Sequence, residues 1–144
     1  MGGIDTDPAS CEAANATVKA VTYYDLKSDG LKKKWFGRVF MNPPYAQPLI
    51  AEFSRAVASK YSNGEISEAI ILVNNATETE WFGDMVKQSA AVCFPKGRIK
   101  FVDKNGNPGG APLQGQAILY MGKNKAKFAT SFAGFGWVSE ICHE

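Results

Sequence analysis

Short apolar segments alternate with segments of helical periodicity along most of this chain. The strand-like segments begin with a very short one at Ile4 and continue at residues 19–24, 38–41, 69–73, 90–94, 116–121 and 135–138. The helix-like segments lie at residues 12–18, from about 50 to 63, from Thr79 to about 88 and at 125–132. Strands that alternate with helices are typical of βαβ units, so the pattern predicts an α/β fold with a mostly parallel sheet.

Three segments carry more specific information. Residues 69–73 read Ala-Ile-Ile-Leu-Val, and a continuous apolar run of this length predicts a central strand that is buried on both faces. Residues 98–102 alternate between polar and apolar side chains and predict a half-exposed strand. Residues 105–112 are rich in glycine and proline and predict a loop.

The composition limits the class of protein. The chain has 144 residues, of which 45% are hydrophobic, so residues 1–144 are predicted to form one domain with a core. No apolar run approaches the roughly 20 residues of a membrane-spanning helix, and no signal segment opens the chain, which predicts a cytoplasmic protein without a membrane partner. The three cysteines lack metal-ligand spacing, and no Asp/Glu/His cluster has it either, so no metal site is predicted.

The most informative motif is Asn42-Pro43-Pro44-Tyr45, which directly follows the apolar residues 39–41. A strand is predicted to end there, and open α/β sheets place their ligand sites at the carboxyl ends of strands. The Asn42 side-chain oxygen and the Pro43 carbonyl can accept hydrogen bonds from an amino group, the prolines fix φ, and the Tyr45 ring can stack on a planar base. The motif favours a site that orients an amine towards a methyl donor, and a plain strand-to-helix turn is the alternative.

Basic residues form two clusters although the net charge of the chain is only +2. One cluster, at residues 32–34 and 38, precedes the Asn-Pro-Pro-Tyr motif, and the other consists of Lys96, Arg98, Lys100 and Lys104. Such clusters can neutralise nucleic-acid phosphates, which makes Arg98, Lys100 and Lys104 candidate DNA contacts. A solvated surface is the alternative for either cluster taken alone.

Several short strings, in order along the chain, together resemble one enzyme family. They are Ile4-Asp5-Thr6-Asp7-Pro8-Ala9-Ser10, Tyr23-Tyr24-Asp25, Asp29-Gly30-Leu31, residues 35–45, residues 94–101 and Ala111-Pro112. In this order they resemble the phage N6-adenine DNA methyltransferase family over roughly residues 3–122. The resemblance implies a Rossmann-like S-adenosylmethionine-dependent methyltransferase fold, whose sheet is mostly parallel with an antiparallel strand near the C-terminus.

The resemblance also implies roles for residues near the start of the sheet. Asp7-Pro8-Ala9-Ser10 stands where the family turns from its first strand into its first helix, and would face the amino-acid end of S-adenosylmethionine. Asp25 would accept hydrogen bonds from the ribose hydroxyls, and Asp29 would reach the adenine. Taken without the family, Asp7 fits a helix cap and the other two aspartates fit turn residues.

The implied reaction is methyl transfer from S-adenosylmethionine to adenine N6 in DNA, with the target base flipped out and held at Asn42-Pro43-Pro44-Tyr45. One alternative is methylation of a glutamine side-chain amide in a protein, because the same Asn-Pro-Pro-Tyr turn occurs in such enzymes. Another is a catalytically inactive nucleic-acid-binding remnant. Only Met1-Gly2-Gly3 precedes the first strand, whereas full-length relatives carry an upstream segment beside the cofactor, so a domain shortened at its N-terminus is expected.

Overall fold

The computed structural model describes residues 1–100 and 114–143, and the sheet within them has seven strands. The strands are β1 (Thr6–Asp7), β2 (Thr22–Tyr23), β3 (Gly37–Met41), β4 (Ile66–Asn74), β5 (Ala91–Pro95), β6 (Gln116–Met121) and β7 (Gly136–Glu140). The helices are α1 (Glu12–Val18), α2 (Leu49–Ser62), α3 (Glu80–Val86) and α4 (Lys125–Phe132), with a short 3-10 helix at Gly30–Lys32. The predicted bounds of α1, β6 and α4 are confirmed to the residue.

The strand order across the sheet is β2-β1-β3-β4-β6-β5-β7. The pairs β1–β2, β1–β3 and β3–β4 are parallel, whereas β4–β6, β5–β6 and β5–β7 are antiparallel. Both β6 and β7 therefore run against the other strands, so the predicted antiparallel strand near the C-terminus is joined by a second one. The architecture is a mixed α/β fold, and its parallel half is made by the N-terminal strands.

A hydrophobic core lies on each face of the sheet. The larger core packs α2 and α3 against β3, β4 and β6, and contains fully buried Val39, Val57 and Ile71. The smaller core lies under α4 and contains Cys93 and Phe128. Alternate β4 residues point into the two cores, but only those on the α2 side are fully buried. The predicted burial of β4 on both faces is thus complete on one face and partial on the face that the short helix α4 covers.

The predicted strand at residues 98–102 is wrong for its first three residues. Residues 98–100 follow β5 without strand pairing. The β5–β7 ladder ends at the pair Pro95 and Gly136, and the last backbone hydrogen bond between the two segments runs from the Lys96 N–H to the Phe135 carbonyl at 2.9 Å. The remainder of that predicted strand, the predicted loop at 105–112 and Lys104 lie outside the described residues.

None of the helices in the described part of the chain has the length and apolar character needed to cross a membrane. Cys11, Cys93 and Cys142 are free thiols. No group of three or more His, Cys, Asp or Glu side chains with the geometry of a metal site occurs among the described residues.

Candidate active site

A cavity of about 920 Å³ opens at the carboxyl ends of β1, β2, β3 and β4. Its volume is in the range of small-molecule sites. Its lining includes nine residues that the sequence analysis selected: Pro8, Ala9, Ser10, Asp25, Asp29, Asn42, Pro43, Pro44 and Tyr45. The carboxyl ends of parallel strands meet at one edge of a sheet, which is why segments from different parts of the chain line one cavity here.

The turn after β1 is built around a buried carboxylate. Asp7 is 2% exposed, and its Oδ1 accepts a hydrogen bond from the backbone N–H of Ala9 at 3.2 Å. Burial raises the pKa of Asp7 to about 6, and the hydrogen bond from Ala9 offsets part of this rise. The side chain that caps α1 is Cys11, whose Sγ accepts from the Ala14 N–H at 3.5 Å, so the helix-cap alternative for Asp7 is wrong.

The loop after β2 presents two aspartates to the same cavity. Asp25 Oδ1 accepts from the backbone N–H of Ser28 at 2.8 Å, and these hydrogen bonds with Ser28 hold the pKa of Asp25 below its usual value. Asp29 caps the 3-10 helix, with its Oδ1 accepting from the Leu31 N–H at 3.2 Å. Both are turn residues, as the sequence predicts when the family resemblance is set aside, and both also line the cavity.

The two loops are packed directly onto each other at Gly30. A Cβ atom on Gly30 would lie 1.9 Å from the carbonyl oxygen of Pro8, so only glycine fits at this contact. The Gly30 carbonyl accepts a hydrogen bond from Trp35 Nε1 at 2.8 Å, and Trp35 is fully buried and stacked on Phe53. A core tryptophan thereby fixes the wall that carries Asp25 and Asp29.

The Tyr45 hydroxyl joins the Asn-Pro-Pro-Tyr motif to the rest of the sheet. Its oxygen lies 2.9 Å from Asn42 Oδ1 and 3.1 Å from both the Leu72 carbonyl and Gln116 Oε1. One hydroxyl proton serves these acceptors, so only one of them receives it at a time. Burial raises the pKa of Tyr45, which keeps the hydroxyl protonated and able to donate.

A second amide pair continues this network, with Asn74 in the cavity lining and Gln116 behind it. Gln116 is 3% exposed at the start of β6, and its Nε2 donates to Asn74 Oδ1 at 2.7 Å. Asn74 ends β4 directly opposite Gln116 in the ladder. The motif after β3 is therefore connected to the ends of β4 and β6 by side-chain hydrogen bonds.

Comparison with known proteins places the chain in a family. The sequence model described as DNA N-6-adenine-methyltransferase (Dam) matches residues 4–132. The chain belongs to this family. The match confirms the resemblance found in the sequence, and it spans every described residue that lines the cavity. No curated protein matches the chain.

Two of the three predicted DNA contacts, Arg98 and Lys100, are not among the residues that line the cavity. Arg98 and Lys100 are exposed in the segment that follows β5, and Lys104 lies outside the described residues. Two strands, β4 and β6, separate β5 from β3 in the sheet. Arg98 and Lys100 therefore lie to one side of the Asn-Pro-Pro-Tyr motif, on the half of the sheet that contains the antiparallel pairs.

Seven described residues in or next to the cavity were not predicted from the sequence. They are Leu26, Gly30, Leu49, Phe53, Asn74 and Gln114 in the cavity lining, and Gln116 behind it. A signal existed for two of them. Asn74 directly follows the apolar residues 69–73, as Asn42 follows residues 39–41, and Gln116 opens a strand whose other residues are all apolar. Leu26 lies in a polar connection and carried no such signal.

Proposed function

We propose that this chain transfers the methyl group of S-adenosylmethionine to N6 of adenine in DNA. The observation that carries the proposal is the shared cavity, whose lining contains both Asn42-Pro43-Pro44-Tyr45 and the residues Pro8-Ala9-Ser10, Asp25 and Asp29. A donor and an acceptor of a methyl group need to meet in one site, and this cavity has one wall from the loops after β1 and β2 and another from the motif after β3. Membership of the Dam family supports the same reaction.

The topology supports a Rossmann-like methyltransferase domain spanning residues 1–144. After β1 the chain adds β2 on one side and then β3 on the other, so the strand order reverses at β1. Ligands of open α/β sheets bind in the crevice at such a reversal, outside the carboxyl ends of the strands. The cavity lies at this position, between the turn after β1 and the motif after β3.

The charges on the β1–β2 side of the cavity support S-adenosylmethionine as its occupant. Asp25 and Asp29 are the charged residues among the described lining residues, and no lysine or arginine is among them. Buried Asp7 adds a carboxylate directly beneath the turn. We assign Pro8, Ala9 and Ser10, with Asp7 beneath them, to the amino-acid end of the cofactor, Asp25 to the ribose and Asp29 to the adenine. When bound, the cofactor supplies an electrophilic methyl group on a positively charged sulfur.

On the other wall, the chain's own groups orient the amine. Asn42 Oδ1 and the Pro43 carbonyl accept the two N–H groups of adenine N6, which directs its lone pair towards the cofactor side. The amide oxygen of Asn42 has two acceptor positions, so the Tyr45 hydroxyl can occupy one while the amine takes the other. Tyr45 and Pro44 complete the wall, and we assign the Tyr45 ring to stacking on the flipped base.

The test is methyl transfer from radiolabelled S-adenosylmethionine to duplex DNA that contains adenine. Nuclease digestion and mass spectrometry should identify N6-methyladenine as the product. DNA in which purine, which lacks the amino group, replaces adenine should stay unlabelled. Label in a glutamine-containing peptide instead of DNA would support the protein-methyltransferase alternative and overturn the proposal.

Titration calorimetry with the same chain tests whether it binds S-adenosylmethionine or DNA without transferring a methyl group. Binding of S-adenosylmethionine without transfer to DNA or peptide would identify an inactive cofactor-binding domain. DNA binding without cofactor binding would identify the nucleic-acid-binding remnant. Either result would overturn the proposed activity.

A further inference from the structure

We propose that Phe94 and Trp137, together with Lys96 and Lys100, form a surface that binds unpaired nucleotides of the DNA strand that flanks the target adenine. We call these four residues the aromatic-basic surface. The proposal rests on the proposed function, because it supplies a second contact for the same substrate. It adds a base-stacking contact far from the Asn-Pro-Pro-Tyr motif.

The aromatic members of the surface are unusually exposed. Trp137 is 76% exposed, whereas Trp35 and Trp81, the other tryptophans of the chain, are buried. Phe94 is 37% exposed. Clustered exposed aromatic residues commonly mark a binding surface, because each ring leaves a large apolar area in water.

The strand register pairs Phe94 with Trp137. Phe94 of β5 lies directly opposite Trp137 of β7, so both side chains stand on the same face of the sheet. The Cβ atoms of such a pair are about 4.5–5.5 Å apart. The ring of Phe135, which precedes β7, lies instead 5.6 Å from that of Phe132 in α4. The Phe135 carbonyl accepts a hydrogen bond from the Lys96 N–H at 2.9 Å, which places Lys96 beside the start of β7.

The surface and the cavity lie on the same edge of the sheet. Because β5 runs in the same direction as β3 and β4, Phe94 and Pro95 are at the carboxyl edge, as Asn42 and Asn74 are. Four strand spacings of about 4.8 Å separate β3 from β7, or about 19 Å. This corresponds to roughly five or six stacked nucleotides at 3.4 Å each, so one DNA strand can reach both sites.

The positive charge of the surface favours nucleic acid as its binding partner. Residues 94–100 and 132–139 contain three cations and no acid. Lys96 and Lys100 are exposed, and neither takes part in the ion pairs found among the described residues. Exposed aromatic rings beside a basic segment match the stacking and phosphate contacts of single-stranded nucleic acid. A twofold contact with a second copy would instead bring these like charges together.

Intrinsic tryptophan fluorescence gives a direct test, because Trp137 is the exposed one of the three tryptophans. The full chain is titrated, without cofactor, with single-stranded oligonucleotides that carry one adenine and flanks of increasing length. We expect quenching that strengthens until the flank reaches about six nucleotides and then levels off. Trp137→Ala should weaken binding by about 5- to 150-fold, the range for losing one base–aromatic stack.

Two variants control for trivial effects. Trp137→Phe keeps a ring and should retain most of the affinity, measured by the anisotropy of a labelled oligonucleotide. Val21→Ala removes an equally exposed apolar side chain before β2, at the opposite edge of the sheet, and should leave binding unchanged. Circular dichroism checks that each variant is folded.

Salt dependence separates stacking from charge. Lys96→Ala with Lys100→Ala should lower the slope of log affinity against log salt by about 1.4, whereas Trp137→Ala should leave the slope unchanged. Unchanged DNA affinity in folded Trp137→Ala would overturn the inference. So would a concentration-dependent dimer that Trp137→Ala dissolves, because the surface would then bind a second copy.

The proposed surface and the proposed methyl transfer can be refuted independently of each other. DNA that is methylated equally well by wild type and Trp137→Ala, with equal KM, would leave the activity standing and remove this surface. Quenching of Trp137 by DNA in a chain without transfer activity would keep the surface and remove the activity.

Discussion

Replacing Asp7 by asparagine should stabilise the protein while weakening its cofactor site. The Asp7 carboxyl is buried and has no cation among the groups that shift its pKa, so its charged form is disfavoured in the folded state. Asparagine keeps an oxygen that can accept the hydrogen bond of the Ala9 N–H, and it carries no charge at any pH. Asp7→Asn therefore removes a cost of folding without removing the turn.

The size of the effect follows from the pKa of Asp7. The rise from 3.8 to about 6 means that the folded state holds its proton more tightly than the unfolded state. The contribution of Asp7 to the free energy of unfolding is at its maximum below pH 4. It falls as the pH rises to about 6, by roughly 3 kcal/mol in total. At pH 8, Asp7→Asn should raise the melting temperature by about 6–12 °C for a domain of this size, and at pH 4 by little.

The assay is urea or thermal unfolding of wild type and variant between pH 4 and 8, with calorimetry of S-adenosylmethionine binding at each pH. If Asp7 faces the cationic amino group of the cofactor, wild-type affinity should rise from pH 5 to 7 and the variant should bind weakly throughout. A wild-type stability that does not fall between pH 4 and 6, or a variant that shows the same fall, would refute the reasoning.

Asp5→Asn is the matched control, since Asp5 lies on the same segment and has the opposite environment. Arg38 donates hydrogen bonds to both carboxylate oxygens of Asp5, from Nε at 3.0 Å and from Nη2 at 3.2 Å, and this contact lowers the pKa of Asp5. A lowered pKa adds stability that is present at neutral pH and lost as the pH falls through the folded value. Asp5→Asn should therefore destabilise at pH 7, and its effect should shrink in acid.

The remaining predictions concern the two walls of the cavity. Asn42→Ala should lower kcat for methyl transfer by about 100-fold or more while the melting temperature stays near wild type, since it removes one preorganised acceptor; transfer at the wild-type rate would remove Asn42 from the reaction. Gln116→Met should lower kcat by about 2- to 10-fold by removing one partner of the Tyr45 hydroxyl, and should have no further effect in a Tyr45→Phe background. Equal effects of Gln116→Met in both backgrounds would assign Gln116 to packing alone. Gly30→Ala should destabilise the folded state and abolish S-adenosylmethionine binding in calorimetry, because its Cβ cannot fit against Pro8; a stable variant that binds would show that the two loops can separate.

Local chemistry made part of this molecule predictable from its sequence. α1, β6 and α4 were located to the residue because each has a clear pattern and is bounded by polar or turn residues. The Asn-Pro-Pro-Tyr motif could be recognised because it directly follows an apolar strand. The strand predicted at residues 98–102 failed at 98–100 because alternation shows which side chains could share a face, but not whether a neighbouring strand exists to pair with them.

Long-range geometry made the rest unpredictable. The acceptors around the Tyr45 hydroxyl include groups 27 and 71 residues further along the chain, and nothing near Tyr45 in sequence indicates them. The fit of Gly30 against Pro8 likewise depends on two loops that meet only after β1 and β2 pair. The cap of α1 was missed because the thiol of Cys11 replaces the usual serine, threonine or aspartate.

The two halves of the sheet divide the work that we propose for this protein. The parallel half, β2-β1-β3-β4, provides the strand-order reversal at which a cofactor can bind, and it carries the acidic wall of the cavity. The antiparallel half, β6-β5-β7, ends in basic and aromatic side chains suited to DNA. Gln116 lies where the halves join and touches Tyr45 directly. A DNA strand that spans both halves would therefore pass over the residue that holds the Tyr45 hydroxyl, so substrate binding and alignment of Asn42 are expected to depend on the same junction.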